Sequence, residues 1–316
     1  MSRLVVASQL NEAFNTTFAE QLPDVEIVGV PAGTPAALPR DAQVLIAAPF
    51  RKAGGSLPLS PPPGWPFNVK WVQLVSVGID FYPDWLFDGP AVTSARGSSA
   101  VALAEFALAA IFAEAKRLPE IWIDRFEQWA PTPLTLVAGK TLGLVGFGAI
   151  GEALAPRARA LGLNVVAVRR SSRPIEAPGV EQLHDLGELF ERSDFVVLAA
   201  PATPETVGLV GREVLARAKP GLHLINIARG ALIDDDALLE ALDDGRVARA
   251  SLDVTHPEPL PFNHRYYSHP KVRLSPHTSV HTPDTRRNLA AQFAANLARF
   301  RDGAPLADLV DTARGY

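Results

Sequence analysis

The stretch that most constrains this chain runs from Lys140 to Arg173, KTLGLVGFGAIGEALAPRARALGLNVVAVRRSSR. A short apolar run, Thr141 to Val145, meets Gly146-Phe147-Gly148-Ala149-Ile150-Gly151. An Ala- and Leu-rich segment follows, and then a second apolar run, Val165 to Val168. In order this reads as strand, glycine-rich turn, helix, strand. Gly146 permits the tight turn, Gly148 lets backbone approach a pyrophosphate, and Gly151 lets the helix pack close to the sheet. The N–H groups at the start of the helix, beginning with Ala149 and Ile150, then face the phosphates. Glycines recur in turns for reasons unrelated to ligands. The strand before, the helix after and the strand beyond are what make this a dinucleotide site. Pro156 lies inside that helix and removes one of its hydrogen bonds.

The end of the second strand bears on which dinucleotide. An NAD site usually places a carboxylate there to hold the ribose 2′-hydroxyl. This chain has Arg169-Arg170-Ser171-Ser172-Arg173 instead. Guanidinium groups suit phosphate through their planar fork of donors, so the stretch favours NADP. A solvated basic loop is the bland alternative, and NAD remains possible.

The 316 residues suggest two domains, and 47% hydrophobic content is ample for packed cores. The net charge of −4 provides no basic field for nucleic acid. The chain has no cysteine, which excludes disulfides, thiolate catalysis and Cys-ligated zinc. The N-terminal MSRLVVASQL has too short an apolar run for a signal peptide. Val101 to Ala115 is too short to span a bilayer and carries Glu105 and Glu114. A cytoplasmic protein that binds neither membrane nor metal is expected.

Before the glycine motif, strands are expected at Leu4–Ala7, Val25–Val30, Val44–Ala48 and Trp71–Val75. A helix is expected over Asn11–Gln21 with Asn11 as its cap. Arg51 to Pro66 is rich in Pro, Gly and Ser and reads as a loop. Ser98–Leu118 reads as a long helix, with Val101, Ala104, Glu105, Leu108 and Phe112 at helical spacing. The aromatic, proline-bearing segment 121–138 packs either on the chain itself or on a partner subunit. After Arg173, helices are expected over Glu181–Arg192 and Asp234–Asp243. Strands are expected at Phe195–Ala200, Leu222–Ala228, Ala248–Val254 and Val272–Leu274. This alternation predicts an α/β protein: a doubly wound parallel sheet of Rossmann type for the cofactor, plus a smaller α/β unit. The last helix, Thr285–Arg301, is expected to return to the first unit. The domains are then 1–96 with 285–316 for substrate, and 97–284 for the dinucleotide.

In a doubly wound sheet the carboxyl ends of the strands face the ligand. Ala228 and Arg229 end one strand, Thr255-His256-Pro257-Glu258-Pro259 follows another, and Ser275-Pro276-His277-Thr278 follows a third. Arg229, Glu258 and His277 can therefore converge beside the nicotinamide. An Arg to clamp a carboxylate, a His to move a proton and a carboxylate to hold the His make a redox site for a 2-oxo or 2-hydroxy acid. Each has a bland reading alone, and His256, His264, His269 and His281 compete for the proton-transfer role.

These residues lie in stretches that resemble the D-isomer-specific 2-hydroxyacid dehydrogenases. The stretches are GKTLGLVGFGAIG (139–151), PATPET (201–206), NIARGALIDDDALLEAL (226–242), ASLDVTHPEPLP (250–261) and SPHTS (275–279). The resemblance covers roughly residues 75 to 285 and implies a flavodoxin-like first domain. It implies that Arg229 binds the substrate carboxylate and carbonyl, that His277 is the general acid–base, and that Glu258 is paired with it. It implies that Asp253 contacts the nicotinamide carboxamide and that backbone N–H groups around Val77 and Gly78 hold the substrate carboxylate. Pro201 and Thr206 would border the cofactor, as would Ala228. Thr255 and His256 depart from the family, which commonly has an aromatic and an acidic residue there, and Arg169 replaces its NAD aspartate. Arg51, Lys52 and Arg96 leave a phosphorylated substrate open. The Arg/Ser-rich stretch is similar to that of the NADPH-linked glyoxylate and hydroxypyruvate reductases, and a homodimer is implied. Some relatives instead act as dinucleotide-sensing corepressors.

Overall fold

The computed structural model describes residues 4–35, 38–50, 57–171 and 173–315. Arg51, Lys52 and Ser172 lie outside the described residues. The chain divides into two compact units, Met1–Ser99 with His281–Tyr316, and Ala100–Val280.

The first unit opens with β1 (Leu4–Ser8), α1 (Glu12–Gln21), β2 (Val25–Gly29), β3 (Val44–Ala47), β4 (Trp71–Leu74) and β5 (Ala91–Thr93). Asn11 caps α1 by accepting the Phe14 N–H at 3.2 Å. All five strands are parallel in the order β2-β1-β3-β4-β5, the flavodoxin order. Parallel strands are covered on both faces, and β3, β4 and all but the first residue of β1 are buried accordingly, Ser8 and Gln73 included. Val5, Ala7, Leu45 and Leu74 join one core, with Phe50, Tyr82 and Trp85. Val6, Val44, Ile46 and Trp71 join the other, with Phe18 of α1.

The second unit holds α2 (Ala100–Ala115), β6 (Thr141–Val145), α3 (Ala149–Ala160), β7 (Asn164–Val168) and β8 (Val180–Leu183). It continues with α4 (Leu186–Arg192), β9 (Phe195–Leu198), α5 (Arg212–Ala216), β10 (Leu222–Asn226), α6 (Asp235–Asp243), β11 (Val247–Leu252) and β12 (Val272–Leu274). Its seven strands are parallel, in the order β12-β11-β10-β9-β6-β7-β8. This is the doubly wound order with one strand added at an edge. The order reverses between β6 and β9, so the glycine-rich turn after β6 stands at the switch point where such sheets bind ligands. The last helix, α7 (Pro283–Arg301), belongs to the first unit, where Phe293 stacks on Trp71 at 4.9 Å.

Two expectations are corrected. Glu181–Arg192 is not one helix: Val180–Leu183 pairs with β7 as an edge strand, and Asp185 caps the short α4. Val180 and Leu183, three apart, suit a helical spacing as well as a short strand, so periodicity cannot separate them. In α2 the buried stripe is Ala100, Leu103, Ala104, Ala107, Ile111 and Ala115, while Val101 and Glu105 are exposed. The helix is apolar around most of its circumference, so the sequence does not single out its inward face.

Candidate active site

The dinucleotide end of the site is built by the turns after β6, β7 and β9. Gly146 has φ +96°, and a Cβ there would lie 2.8 Å from the Ala200 N. Both facts demand glycine. Gly148 begins α3 without a side-chain cap, and its Cβ would meet only open space. The first intrahelical bond runs from Glu152 N to Gly148 O, at 2.9 Å, so the amides of Ala149, Ile150 and Gly151 precede the helical ladder. This is the arrangement a pyrophosphate needs. At Gly151 a Cβ would press on the Phe147 ring at 2.9 Å.

The turn after β9 is closed by its own threonine. Thr206 Oγ1 donates to Pro201 O at 2.8 Å and accepts the Thr203 N–H at 2.7 Å. Beyond β7, Arg169 and Arg173 line a cavity of about 460 Å³ with Phe147, Glu152 and Ile175. Ser171 is exposed and is not part of that lining. The charge of Arg170 is felt at Glu205, where a Thr203 hydrogen bond, aided by that charge, holds the carboxyl below its usual range.

At the ends of β10, β11 and β12 the structure brings three expected residues into one electrostatic group. His277 Nδ1 lies 2.9 Å from Glu258 Oε2. Glu258 Oε1 accepts the Thr255 N–H at 2.9 Å. Burial pushes the Glu258 carboxyl up, but the His277 and Thr255 hydrogen bonds and the charges of His277 and Arg229 outweigh it, and the net shift is downward. Glu258 is therefore a carboxylate at neutral pH. With Nδ1 engaged, proton transfer falls to the other ring nitrogen of His277.

Arg229 is set by residues to which the sequence assigned no role. Asn226, fully buried, donates to Arg229 O at 2.9 Å and accepts the Ala228 N–H at 3.0 Å. A Cβ on Gly230 would fall 2.0 Å from the Thr255 carbonyl carbon, so only glycine lets the Arg229 turn lie against the Glu258 loop. Both residues stand in the quoted NIARG stretch. What they touch depends on strands that meet only in the folded sheet.

Asp253 is 1% exposed. Its Oδ1 accepts from Ser275 Oγ at 2.6 Å and Thr278 N at 3.0 Å. Its Oδ2 accepts from the N–H and the hydroxyl of Ser279. Val77 and Gly78 belong to the first unit and follow β4, where Ser76 Oγ donates to Gly78 O at 2.8 Å.

An uncapped helix N-terminus at the switch point and an Arg–Glu–His group at neighbouring strand ends make a candidate dinucleotide-binding site. The family model described as "D-isomer specific 2-hydroxyacid dehydrogenase, NAD binding domain" matches residues 108–279, more than half of the chain. The chain belongs to the D-isomer-specific 2-hydroxyacid dehydrogenase family and carries its NAD(P)-binding domain. A glyoxylate reductase of Thermococcus gammatolerans is 38% identical over 64% of this chain and 64% of its own length. A D-3-phosphoglycerate dehydrogenase of Bacillus subtilis is 35% identical over 77% of this chain. The match spans 47% of that relative, about half its length. Among solved structures, a family member from Xanthobacter autotrophicus in complex with NADPH and MES superposes with a TM-score of 0.80 at 27% identity, all of both chains being covered. A glyoxylate reductase of Paecilomyes thermophila gives 0.80 at 26% identity, covering 99% of this chain and all of that one.

Proposed function

We propose that this protein reduces a small 2-oxoacid, glyoxylate or hydroxypyruvate, to the 2-hydroxyacid with NADPH. The observation that carries the reading is the 2.9 Å His277–Glu258 pair at strand ends next to the Arg229 turn. When bound, the dinucleotide supplies the hydride. Ala149, Ile150 and Gly151 offer their amides to its pyrophosphate, and Arg169 and Arg173 take the 2′-phosphate into the cavity they line. Arg229 binds the substrate carboxylate and carbonyl. His277 gives a proton to the carbonyl oxygen, and Arg229 opposes the negative charge that develops there. Glu258 holds the imidazole in the tautomer and orientation this requires. The named glyoxylate reductases support the small substrate. The exposed Trp122, Phe126 and Trp129 support a homodimer formed through segment 121–138.

The test is oxidation of NADPH and NADH in parallel, followed by absorbance, with glyoxylate, hydroxypyruvate, pyruvate and a bulky aryl pyruvate. Turnover is expected with NADPH and the two small acids. Arg169→Ala should raise the KM for NADPH roughly tenfold, about 1.4 kcal/mol, and leave that for NADH unchanged. Preference for NADH in the unaltered protein would remove the 2′-phosphate role. No turnover with any acid would overturn the reductase reading.

A further inference from the structure

We propose that Tyr266 is a positioning residue that, through Asp235, keeps the Glu258–His277 pair in register with Arg229. What those three residues do rests on the reductase reading; the tie itself does not. The connection from β11 to β12 carries Glu258 near its start and Tyr266 further on. Tyr266 is 2% exposed and shares a core with Leu232, Ile233 and Leu260. Its hydroxyl donates to Asp235 Oδ1 at 2.8 Å. A buried hydroxyl without an acceptor is costly, so the bond holds. Tyr267 turns back on the same connection, its hydroxyl donating to Leu260 O at 3.3 Å, two residues past Glu258. Asp235 begins α6, which grows from the Arg229 turn by way of Gly230–Leu232 and the cap residue Asp234. The segment bearing Arg229 and the segment bearing Glu258 therefore meet twice, at Gly230 against Thr255 and at Tyr266 on Asp235. One contact leaves a pivot. Two fix the orientation of one segment on the other.

A histidine braces the tie. His264 Nδ1 accepts the Tyr266 N–H at 3.3 Å, and its Nε2 stands 3.7 Å from Asp235 Oδ2. A ring that accepts through Nδ1 carries its hydrogen on Nε2, here toward the carboxylate. Burial is the largest influence on the Asp235 carboxyl and pushes it up, with Asp234 and Asp236 adding to it, against the Tyr266 bond and His264. The same device recurs at the far end of α6. His269 Nδ1 accepts the Lys271 N–H at 3.2 Å, and its Nε2 lies 3.1 Å from Asp243 Oδ1. That second clasp stands at the amino end of β12, whereas the Arg–Glu–His group stands at the carboxyl ends of the strands. It fastens the connection without touching the site, so it separates positioning from stability. Without the Tyr266 hydroxyl the connection keeps its core packing and its second clasp, but the end that carries Glu258 is free to turn.

The experiment uses the full chain and five variants: Tyr266→Phe, Asp235→Ala, Asp235→Asn, His269→Asn and, as the reference for a lost pairing, Glu258→Gln. Three quantities are read: kcat and KM against pH with NADPH and glyoxylate; the titration of the His277 imidazole resonance, assigned by its loss in His277→Ala; and the temperature of unfolding. Tyr266→Phe should lower kcat roughly tenfold, within the hundredfold that a misplaced group can cost, and hold the KM for NADPH within about twofold. Its pH optimum and its His277 titration should move in the direction seen for Glu258→Gln. Asp235→Ala should do the same. Asp235→Asn, whose side-chain oxygen still accepts the Tyr266 hydroxyl, should recover most of that loss. His269→Asn should lower the temperature of unfolding and leave the His277 titration in place. An unmoved titration in Tyr266→Phe overturns the proposal, and if that variant does not fold, Asp235→Ala decides in its place. So does an equal movement in His269→Asn, which would make the effect one of stability alone. A titration that moves as expected in a protein that reduces no 2-oxoacid would uphold the tie and sink only the reductase reading.

Discussion

At the scale of single residues, what matters is which charges persist when they are half buried. Glu258 stays ionised because two hydrogen bonds and two cations outweigh its desolvation. A carboxyl whose folded value is depressed makes its full contribution above its unfolded value and loses it as the pH falls through the folded one. At neutral pH the carboxylate is therefore in place beside the His277 ring. Glu258→Gln keeps the shape and removes the charge, so the pH optimum for reduction should move to lower pH. Rate profiles across neutral pH check this, and an unchanged profile would separate the two residues functionally. Arg229, Glu258 and His277 were legible as residue types at strand ends. Asn226 and Gly230 were not, because one answers for backbone bonds and the other for a close approach between loops.

At the scale of elements, β10 carries a group that the chemistry does not use. His223, 2% exposed, faces Ser251 of β11 at 2.9 Å through Nε2, and its Nδ1 has no hydrogen-bond partner among the described residues. Burial first, and the charge of Arg249 second, push it down to about 3. The unfolded chain regains an ordinary imidazole, near 6.5. Between these values the unfolded state binds the extra proton, so stability falls as the pH drops through 6.5, by about 1.4 kcal/mol per unit. Urea unfolding should show a loss of about 2 kcal/mol by about pH 5 from this group alone. His223→Phe should flatten that dependence, and an unaltered slope would assign the loss elsewhere. Strand β10 itself was plain in the sequence as an apolar run. The edge strand β8 was not, because four residues paired on one side carry too little pattern to outweigh the helical spacing around them.

At the scale of the whole molecule, a parallel doubly wound sheet was implied by alternation, and the strand orders were not. A chain that repeats strand and helix, with right-handed crossovers, has few parallel solutions. Segment 121–138 stands outside that logic. Phe126 is 85% exposed and Trp129 78%, and neither belongs to the core clusters among the described residues. Exposed aromatics in one stretch mark an interaction surface, and a second copy is the proposed occupant. Light scattering in solution should give about twice the mass of the chain. Phe126→Asp with Trp129→Asp should give the single-chain mass, and an unaltered mass in that double variant would move the interface elsewhere.

What the sequence determined by itself was whatever is written in local order. The glycine spacing, the alternation of apolar runs and the residue types at their ends specify an α/β dinucleotide fold and its three chemical groups. Backbone conformation and binary pattern are properties of neighbouring residues, so they can be read along the chain. Only the tertiary structure decided which groups are held and by what. His277 sits in a left-handed conformation, and a carboxylate 24 positions earlier accepts bonds from residues on both its flanks. Such a contact exists only once β11 and β12 are paired, and no spacing along the chain encodes it.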